Sequence, residues 1–235
     1  VMTRAKWPLL LVAAAVACGA AVDRSANAAG GASTTSQDTI GPAAPPGAPA
    51  SAFPSPMRPV ADIVAELKAG RMVVVDANVR PAVVQDMAAY RANILAALEL
   101  ADVIKASDED LAALGLPGDD AWAQAAHVLK TTSAQCLALT LGAQGAALMW
   151  RTANGIQLCK AKEPGPVKVV DTVGAGDCFL AGLLACCLHH ADAVQALPQD
   201  WLKVATSAQM QDLLAHAVAH ASLCVMQAGC SPSTW

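Results

Sequence analysis

The chain has 235 residues, of which 55% are hydrophobic and 14% are charged, and its formal net charge at pH 7 is −4. This length is sufficient for one α/β domain with a sizeable core. The small negative charge argues against a nucleic-acid-binding surface, which would need clustered Lys and Arg. A membrane span is not expected either, because every apolar stretch is short or is interrupted by charges and helix breakers.

Residues 1–58 are predicted to be a leader that does not fold. Arg4 and Lys6 precede an apolar stretch from about Leu9 to Ala17 and then small residues, which is the layout of a secretory signal. The tract that follows, up to residue 58, consists mainly of Gly, Ala, Ser and Pro and cannot bury enough surface to become ordered. We therefore expect a signal-like, disordered leader at 1–58 and a globular domain at 59–235.

The first part of the globular domain is predicted to alternate strands with helices. A helical segment ends at Gly70, and the apolar run at 72–75 predicts a strand buried on both faces, as in a parallel sheet. Ser107 and Gly115 are residue types that begin and end a helix. The further predicted elements are a helix within 82–101, a strand at 102–106, a helix within 119–132 and a strand within 135–142.

The second part of the domain is predicted to begin with a β-hairpin, because Asn154-Gly155 separates two apolar runs. It continues with the end of a strand before Asp171, a long helix to about residue 190 and a last helix within 208–227. Alternating strands and helices predict an α/β fold with a largely parallel sheet and helices on both of its faces. Ligands bind such sheets at the carboxyl ends of the strands.

The loop DTVGAGD at 171–177 is expected to lie at that edge of the sheet. Gly174 and Gly176 would let the backbone turn sharply and approach a ligand. The helix that begins in the loop would direct free N–H groups and its positive end toward one point, which suits a phosphate. Asp177, in the first turn, could accept a proton from an attacking hydroxyl or could merely cap the helix. The loop alone leaves both interpretations open.

The longer stretch VVDTVGAGDCFLAGLL at 169–184 closely resembles the C-terminal signature of PfkB-type, ribokinase-like carbohydrate kinases, Asp-Thr-x-Gly-Ala-Gly-Asp-x-Phe-x-x-Gly. Three upstream stretches resemble further family motifs in the same order: VVVDANVRPAVV, ADVIKASDEDLAALG and LALTLGAQGA. The tail AGCSPSTW resembles that of fructokinases. The resemblance covers residues 60–235 and implies a three-layer ribokinase-like fold without its N-terminal part, which in this family supplies the first strands and most sugar contacts.

The resemblance implies a role for each residue that matches a family motif. Asp177 would be the general base that removes the proton from the sugar hydroxyl. The implied anion hole for the transferred phosphoryl group consists of Gly174, Ala175 and Gly176. The residues implied to contact ATP are Ser107, Thr140, Gly142 and Gly145. Asn78 and Arg80 would contact the substrate or a phosphate, since a guanidinium binds oxyanions in two places.

The resemblance also implies two metal ions. Asp110 would hold Mg²⁺ through water beside the ATP phosphates. A plain capping box between Ser107 and Asp110 is the competing interpretation, and the same residues could do both. Many family members hold a potassium ion at the positions that match Asp171, Val173, Gly229 and Ser233. For Gly229 and Ser233 an ordinary turn is the alternative.

These motifs together predict an enzyme, a carbohydrate kinase that uses ATP and Mg²⁺, with K⁺ as a further candidate ion, to convert fructose to fructose 6-phosphate. Its expected partners are a small sugar and ATP, with no nucleic acid and no membrane, and a homodimer is one candidate assembly. ATP-dependent chemistry points to the cytoplasm, which would make the signal-like leader spurious. Two alternatives stay open: a kinase for ribose or 2-keto-3-deoxygluconate, and a catalytically inactive remnant that keeps only the nucleotide-binding half.

Overall fold

One mixed β-sheet forms the centre of the fold. The computed structural model describes residues 9–13 and 71–229. The strands are β1 (Leu9–Ala13), β2 (Met72–Asp76), β3 (Val103–Ser107), β4 (Cys136–Thr140), β5 (Ala146–Thr152) and β6 (Gly155–Ala161), and they lie side by side in this order. The first four strands are parallel, whereas β5 and β6 run antiparallel to their neighbours. The carboxyl ends of β2, β3 and β4 therefore meet at one edge.

Helices cover both faces of this sheet. They are α1 (Met87–Leu100), α2 (Asp108–Leu114), α3 (Ala121–Thr131), α4 (Ala175–Ala193), α5 (Pro198–Val204) and α6 (Ser207–Val225), with short 3₁₀ turns at Pro81–Val83 and Gly142–Gln144. The first three helices pack on one face and the last three on the other. No single helix among the described residues has the length and apolar composition needed to cross a membrane; α4 and α5 meet that criterion only as a pair, bent by 86°.

Side-chain alternation along the strands explains the three layers. In β2, Val73 and Val75 point into the core under α1, α2 and α3, whereas Met72 and Val74 point into the core under α4, α5 and α6. All five residues of β2 are buried. The continuous apolar run in the sequence therefore corresponds to a strand that is covered on both sides, as expected for a parallel strand. This finding confirms the predicted three-layer α/β/α architecture.

Capping residues mark the N-termini of the first three helices and the C-terminus of α2. The Ser107 hydroxyl accepts the amide N–H of Asp110 at the start of α2, and Gly115 ends that helix in the left-handed conformation at φ 67°. Such a backbone conformation strains any residue with a Cβ, which explains the glycine. Asp86 and Asp120 cap α1 and α3 in the same way as Ser107 caps α2. The predicted hairpin at Asn154-Gly155 joins β5 to β6, as expected.

The second part of the domain differs from the sequence prediction in two elements. The strand expected immediately before Asp171 is absent, and residues 162–174 form no helix or strand. The amides of Val170 and Asp171 donate to the Val225 carbonyl instead of to a neighbouring strand. The sequence also did not predict α5, whereas α1 lies within the predicted range 82–101.

The predicted leader and the helix ending at Gly70 lie outside the described residues, with one exception. Leu9–Ala13, expected to be unstructured, forms β1 and pairs with β2 in register from Leu9 with Met72 to Ala13 with Asp76.

Candidate active site at the carboxyl edge of the sheet

The N-terminus of α4 lies at the carboxyl edge of the sheet. Gly174 occupies the N-cap position with φ 80°, a conformation that requires glycine, and no side chain caps the helix. The Ala175 amide donates to the Thr172 carbonyl, but the amides of Gly176 and Asp177 have no acceptor among the described residues. Two free N–H groups at the positive end of a 19-residue helix form a ready anion site.

Asp177 is exposed in the first turn of α4. The N-cap position belongs to Gly174, and among the described residues no amide donates to the Asp177 carboxylate. A capping role, one of the two interpretations left open by the loop sequence, therefore has no hydrogen bond to support it. The carboxylate stands beside the two free amides, available to a ligand.

A buried ion pair lies directly behind this helix terminus, and the sequence analysis did not identify it. Lys105 Nζ on β3 donates to Asp76 Oδ2 on β2 at 3.1 Å, and the two side chains are only 8% and 6% exposed. Lys105 and Asp76 are direct partners in the β2–β3 register, which brings these residues together across 29 positions of sequence. The other carboxylate oxygen, Asp76 Oδ1, is buried and has no hydrogen-bond partner among the described residues.

Lys105 limits the space beside residue 176. A Cβ built on Gly176 would lie 2.9 Å from Lys105 Nζ and 3.6 Å from Lys105 Cε. The backbone at Gly176 does not have the positive φ that favours glycine. A side chain at this position would therefore require the lysine end to shift, and the role of Gly176 in ligand approach stays a prediction.

The pKa of Asp76 is raised above its ordinary value, chiefly because burial disfavours the charged form. The negative charges of Asp110 and Asp177 raise it further. Lys105 opposes these effects through its charge and its hydrogen bond but does not cancel them. The influence of Asp177 on Asp76 also indicates that the exposed carboxylate and the buried pair belong to one electrostatic site.

Asp110 joins the first turn of α2 to the loop after β2. Its Oδ1 accepts the Val79 amide at 2.7 Å and its Oδ2 accepts the Ser107 amide at 2.8 Å. The carboxylate is 4% exposed. The capping box is therefore present through Oδ2, and the Val79 amide occupies Oδ1. A magnesium role for Asp110 stays a prediction that rests on the remaining lone pair of each oxygen.

Asn78 and Arg80 follow β2 at the same edge. Asn78 adopts φ 37°, an unusual conformation for a residue with a side chain, and the hydrogen bond from Val79 to Asp110 holds this turn. Arg80 is exposed; its amide donates to the Tyr90 hydroxyl, and its Nη1 lies 3.4 Å from the Val79 carbonyl. The guanidinium is thus accessible to an anionic ligand.

The predicted nucleotide loop is a tight turn between β4 and β5. Thr140 ends β4 opposite Ser107 of β3, so these two predicted ATP contacts are register partners. Gly142 has φ 53° and Gly145 has φ 93°, and the Leu141 amide donates to the Gly145 carbonyl. A Cβ on Gly145 would collide with the carbonyl oxygen of Ala161, because the turn lies directly against the end of β6.

The predicted monovalent-cation residues also meet, except for Ser233, which lies outside the described residues. Asp171 Oδ1 accepts the Val173 amide at 3.0 Å, and Asp171 Oδ2 accepts the Gly229 amide at 2.9 Å. These two backbone hydrogen bonds, that of Val173 first, lower the pKa of Asp171 below its ordinary value. The carboxylate therefore joins the loop before α4 to the turn after α6 and stays ionised over the neutral range.

Known proteins match both the sequence and the fold of this chain. A fructokinase of Vibrio alginolyticus is 38% identical over 125 residues, which are 53% of this chain and 38% of that protein. A double mutant of the Vibrio cholerae O395 fructokinase, crystallised in its fructose-, ADP- and potassium-bound form, matches with a TM-score of 0.56 and 29% identity over 72% of this chain and 49% of that one. The ATP-bound fructokinase of Xylella fastidiosa matches with a TM-score of 0.59 and 25% identity over 73% and 51%.

The chain spans about two fifths of the length of the curated relative and about half of each solved structure. The sequence pattern of pfkB family carbohydrate kinases matches residues 50–235, which is more than half of the chain. With the GAGD loop at the N-terminus of α4, the family motifs at the ends of β2, β3 and β4, and the ribokinase-like sheet, this chain belongs to the pfkB family of carbohydrate kinases.

Proposed function

We infer that the chain carries the nucleotide and phosphoryl-transfer part of an ATP-dependent sugar kinase, with fructose as the acceptor and fructose 6-phosphate as the product. The observation that carries this proposal is the exposed Asp177 carboxylate beside two free amides at the N-terminus of α4. Fructose is favoured because fructokinases are among the matched relatives and one of them was crystallised with fructose. ATP is supplied in the cytoplasm, where we expect the reaction to occur.

The chemistry of this site follows from what phosphoryl transfer requires, which is positioning and charge stabilisation rather than covalent catalysis. The amides of Gly176 and Asp177 would donate to the γ-phosphoryl oxygens, and the helix terminus would stabilise their negative charge. Asp177 would accept the proton of the attacking sugar hydroxyl as the new O–P bond forms, while the bond between the γ-phosphorus and the β,γ-bridging oxygen breaks and ADP leaves with that oxygen. Arg80 is accessible to hold a phosphate or the sugar.

Two ions complete the proposal. Mg²⁺ bound to ATP would shield the phosphate charges, and the lone pairs of Asp110 that accept no amide could reach it through water. K⁺ is the candidate for the Asp171, Val173 and Gly229 cluster, because the Asp171 carboxylate stays ionised there. The potassium-bound Vibrio cholerae enzyme supports this choice.

The test is a titration of the full chain with Mg·ATP, followed by transfer assays with fructose, ribose and 2-keto-3-deoxygluconate. We expect Asp177→Asn to lower phosphoryl transfer by ~10²–10⁴-fold, the usual contribution of general-base catalysis, while ATP binding stays within about threefold. Asp192→Asn, at the opposite end of the same helix, is the matched control and should change neither quantity.

Each outcome decides between the alternatives. A folded chain that does not bind ATP contradicts the proposal. ATP binding without transfer to any of the three sugars supports the inactive remnant, and transfer to ribose or 2-keto-3-deoxygluconate in preference to fructose replaces the proposed substrate. Near-normal turnover of Asp177→Asn would exclude Asp177 as the base.

A further inference from the structure

Two histidines of α6 bring their ring nitrogens together on one face of the helix. His216 and His220 are four positions apart within Ser207–Val225, so that they lie one above the other on the helix surface. Their Nε2 atoms are 3.1 Å apart, their ring centroids are 4.5 Å apart, and both residues are half-buried. Two imidazoles in this position share either one N–H···N hydrogen bond or one bound ion.

The separation of the two nitrogens is that of two ligands of one transition-metal ion. Imidazole nitrogens bind such ions at about 2.0–2.1 Å. Two nitrogens at about 2.05 Å from one ion and 3.1 Å from each other give an angle of about 98° between the two bonds. This angle lies between the octahedral and the tetrahedral value. The helix therefore already holds the two nitrogens at the distance that such an ion requires.

Helix α4 keeps His220 in this position. A Cβ built on Gly182 of α4 would lie 2.8 Å from the Cγ and 2.9 Å from the Cβ of His220, so the imidazole lies directly against the α4 backbone. This contact limits the movement of the ring. The pKa of His220 is lowered, first by burial and then by the charge of His216, which favours the neutral ring that binds metals.

We propose that His216 and His220 form a binding site for one divalent transition-metal ion of the Zn²⁺ or Ni²⁺ class on the side of α6 that faces α4. Within residues 71–229, no third His, Cys, Asp or Glu joins them to make a three-residue metal group, so water would complete the coordination. Imidazole suits these ions, whereas Mg²⁺ and other hard cations prefer oxygen ligands. The proposal does not depend on the proposed function.

A bound ion would stabilise this half of the fold. It would join two turns of α6, and the Val225 carbonyl at the end of that helix accepts the amides of Val170 and Asp171 from the loop before α4. The two nitrogens are held together only when the helix is formed. An ion that binds the folded chain in preference to the unfolded chain therefore raises its melting temperature.

The experiment titrates an untagged, chelator-treated preparation of the full chain with Ni²⁺ by calorimetry at neutral pH. Ni²⁺ is the probe because the chain has eight cysteines, and thiolates favour Zn²⁺. We expect one equivalent to bind. His216→Gln and His220→Gln should each weaken binding by at least ~10-fold, because loss of even an outer partner of a metal ligand costs ~10–100-fold in affinity.

His189→Gln is the matched control, because His189 is an exposed residue of α4 that also neighbours another histidine, with ring centroids 5.9 Å apart. It should leave Ni²⁺ binding unchanged. Ni²⁺ at ~10 times its dissociation constant should raise the melting temperature of the unsubstituted chain and of this control by about 3–6 °C. The two α6 variants should not respond. His216→Gln keeps the test decisive if His220→Gln folds poorly, because Gly182 contacts only the latter position.

The proposal is overturned if the unsubstituted chain gives no heat of binding up to ~1 mM Ni²⁺, the weak end of specific affinities. It is also overturned if His216→Gln binds Ni²⁺ as tightly as the unsubstituted chain, since the ion would then lie elsewhere. Either result would leave a shared hydrogen bond as the relation between the two rings, and neither would affect the proposed kinase function.

Discussion

Replacement of Lys105 by Met should strongly destabilise the fold, because it leaves the Asp76 carboxylate buried without its counter-charge. Two unit charges separated by 3.1 Å interact by about 5 kcal/mol at an effective dielectric constant near 20. Removal of one partner of a buried pair typically costs about 3–5 kcal/mol. Asp76 can limit the loss by taking up a proton, so we expect about 3 kcal/mol at pH 7, a large part of the ~5–15 kcal/mol that stabilises a typical domain.

The pH dependence of this loss follows from the pKa of Asp76. Burial already raises that pKa and Lys105 lowers it through its charge and its hydrogen bond, so the variant should raise it further. A carboxyl whose folded-state pKa is raised holds a proton that the unfolded chain releases. The free energy of unfolding therefore falls as pH rises from about 4 through the raised pKa. The cost of Lys105→Met should be small near pH 4 and should grow toward neutral pH.

Urea unfolding followed by circular dichroism between pH 4 and 8 measures this effect. In the Asp76→Asn background the same Lys105→Met change should cost less than about 1 kcal/mol, because no carboxylate remains to be left unpaired. Lys203→Met, from a pair of the same residue types that is 60% and 55% exposed, should cost about 0–1 kcal/mol. If the buried and the exposed lysine variants lose equal stability, or if the loss at Lys105 does not depend on pH, the reasoning about burial is refuted.

Three further predictions concern the nucleotide turn, a histidine pair and the link to the C-terminal turn. Gly145→Ala should lower the free energy of unfolding by about 2–4 kcal/mol, from strain at φ 93° together with the collision with Ala161. Gly155→Ala is the control in the same urea assay, because Gly155 has φ 110° and open space around it. It should lose only the strain contribution, about 1–2 kcal/mol of the free energy of unfolding. Equal losses for the two variants would contradict the predicted collision. The pKa of His220 is lowered, first by burial and then by the charge of His216, whose Nε2 lies 3.1 Å from that of His220. The unfolded chain therefore takes up a proton more readily than the folded protein, and thermal stability should decrease as pH falls below about 6.5. His220→Gln should reduce this slope, and an unchanged melting profile between pH 7 and 5 would show that His220 does not contribute to it. Asp171→Asn replaces one of the two accepting oxygens by an NH2 donor, which faces one of the two backbone amides, so hydrogen exchange at Val173 or Gly229 should accelerate. Unchanged protection of both amides would exclude the proposed link.

Local signals in the sequence were sufficient for much of the fold. The run at 72–75 predicted a strand covered on both faces, and Ser107 and Gly115 predicted the ends of α2, because periodicity and capping depend on residues a few positions apart. The GAGD loop predicted an anion site for the same reason. The backbone conformation of Gly174 and the first turn of α4 are consequences of that short stretch.

The strand wrongly predicted before Asp171 and the unpredicted helix α5 both concern segments whose structure depends on partners distant in the chain. The apolar residues before Asp171 suggested a strand, but Val169 and Val170 are 58% and 54% exposed there, and the local amides donate to Val225. The seven-residue α5 is too short to predict from periodicity. Its place is determined by Trp201, which is buried against the helices on that face of the sheet.

The sequence by itself determined the family, the order of the motifs and the residues expected to contact ATP, because these are properties of short contiguous stretches. Only the tertiary structure showed the surroundings of Lys105, which the sequence analysis placed in the stretch ADVIKASDEDLAALG without naming its partner. Its charge is stable there because β2 brings Asp76 within 3.1 Å, and it reaches the helix terminus because residue 176 has no side chain. Burial, pairing and space at one point depend on three separate segments, and no local pattern in any one of them contains that information.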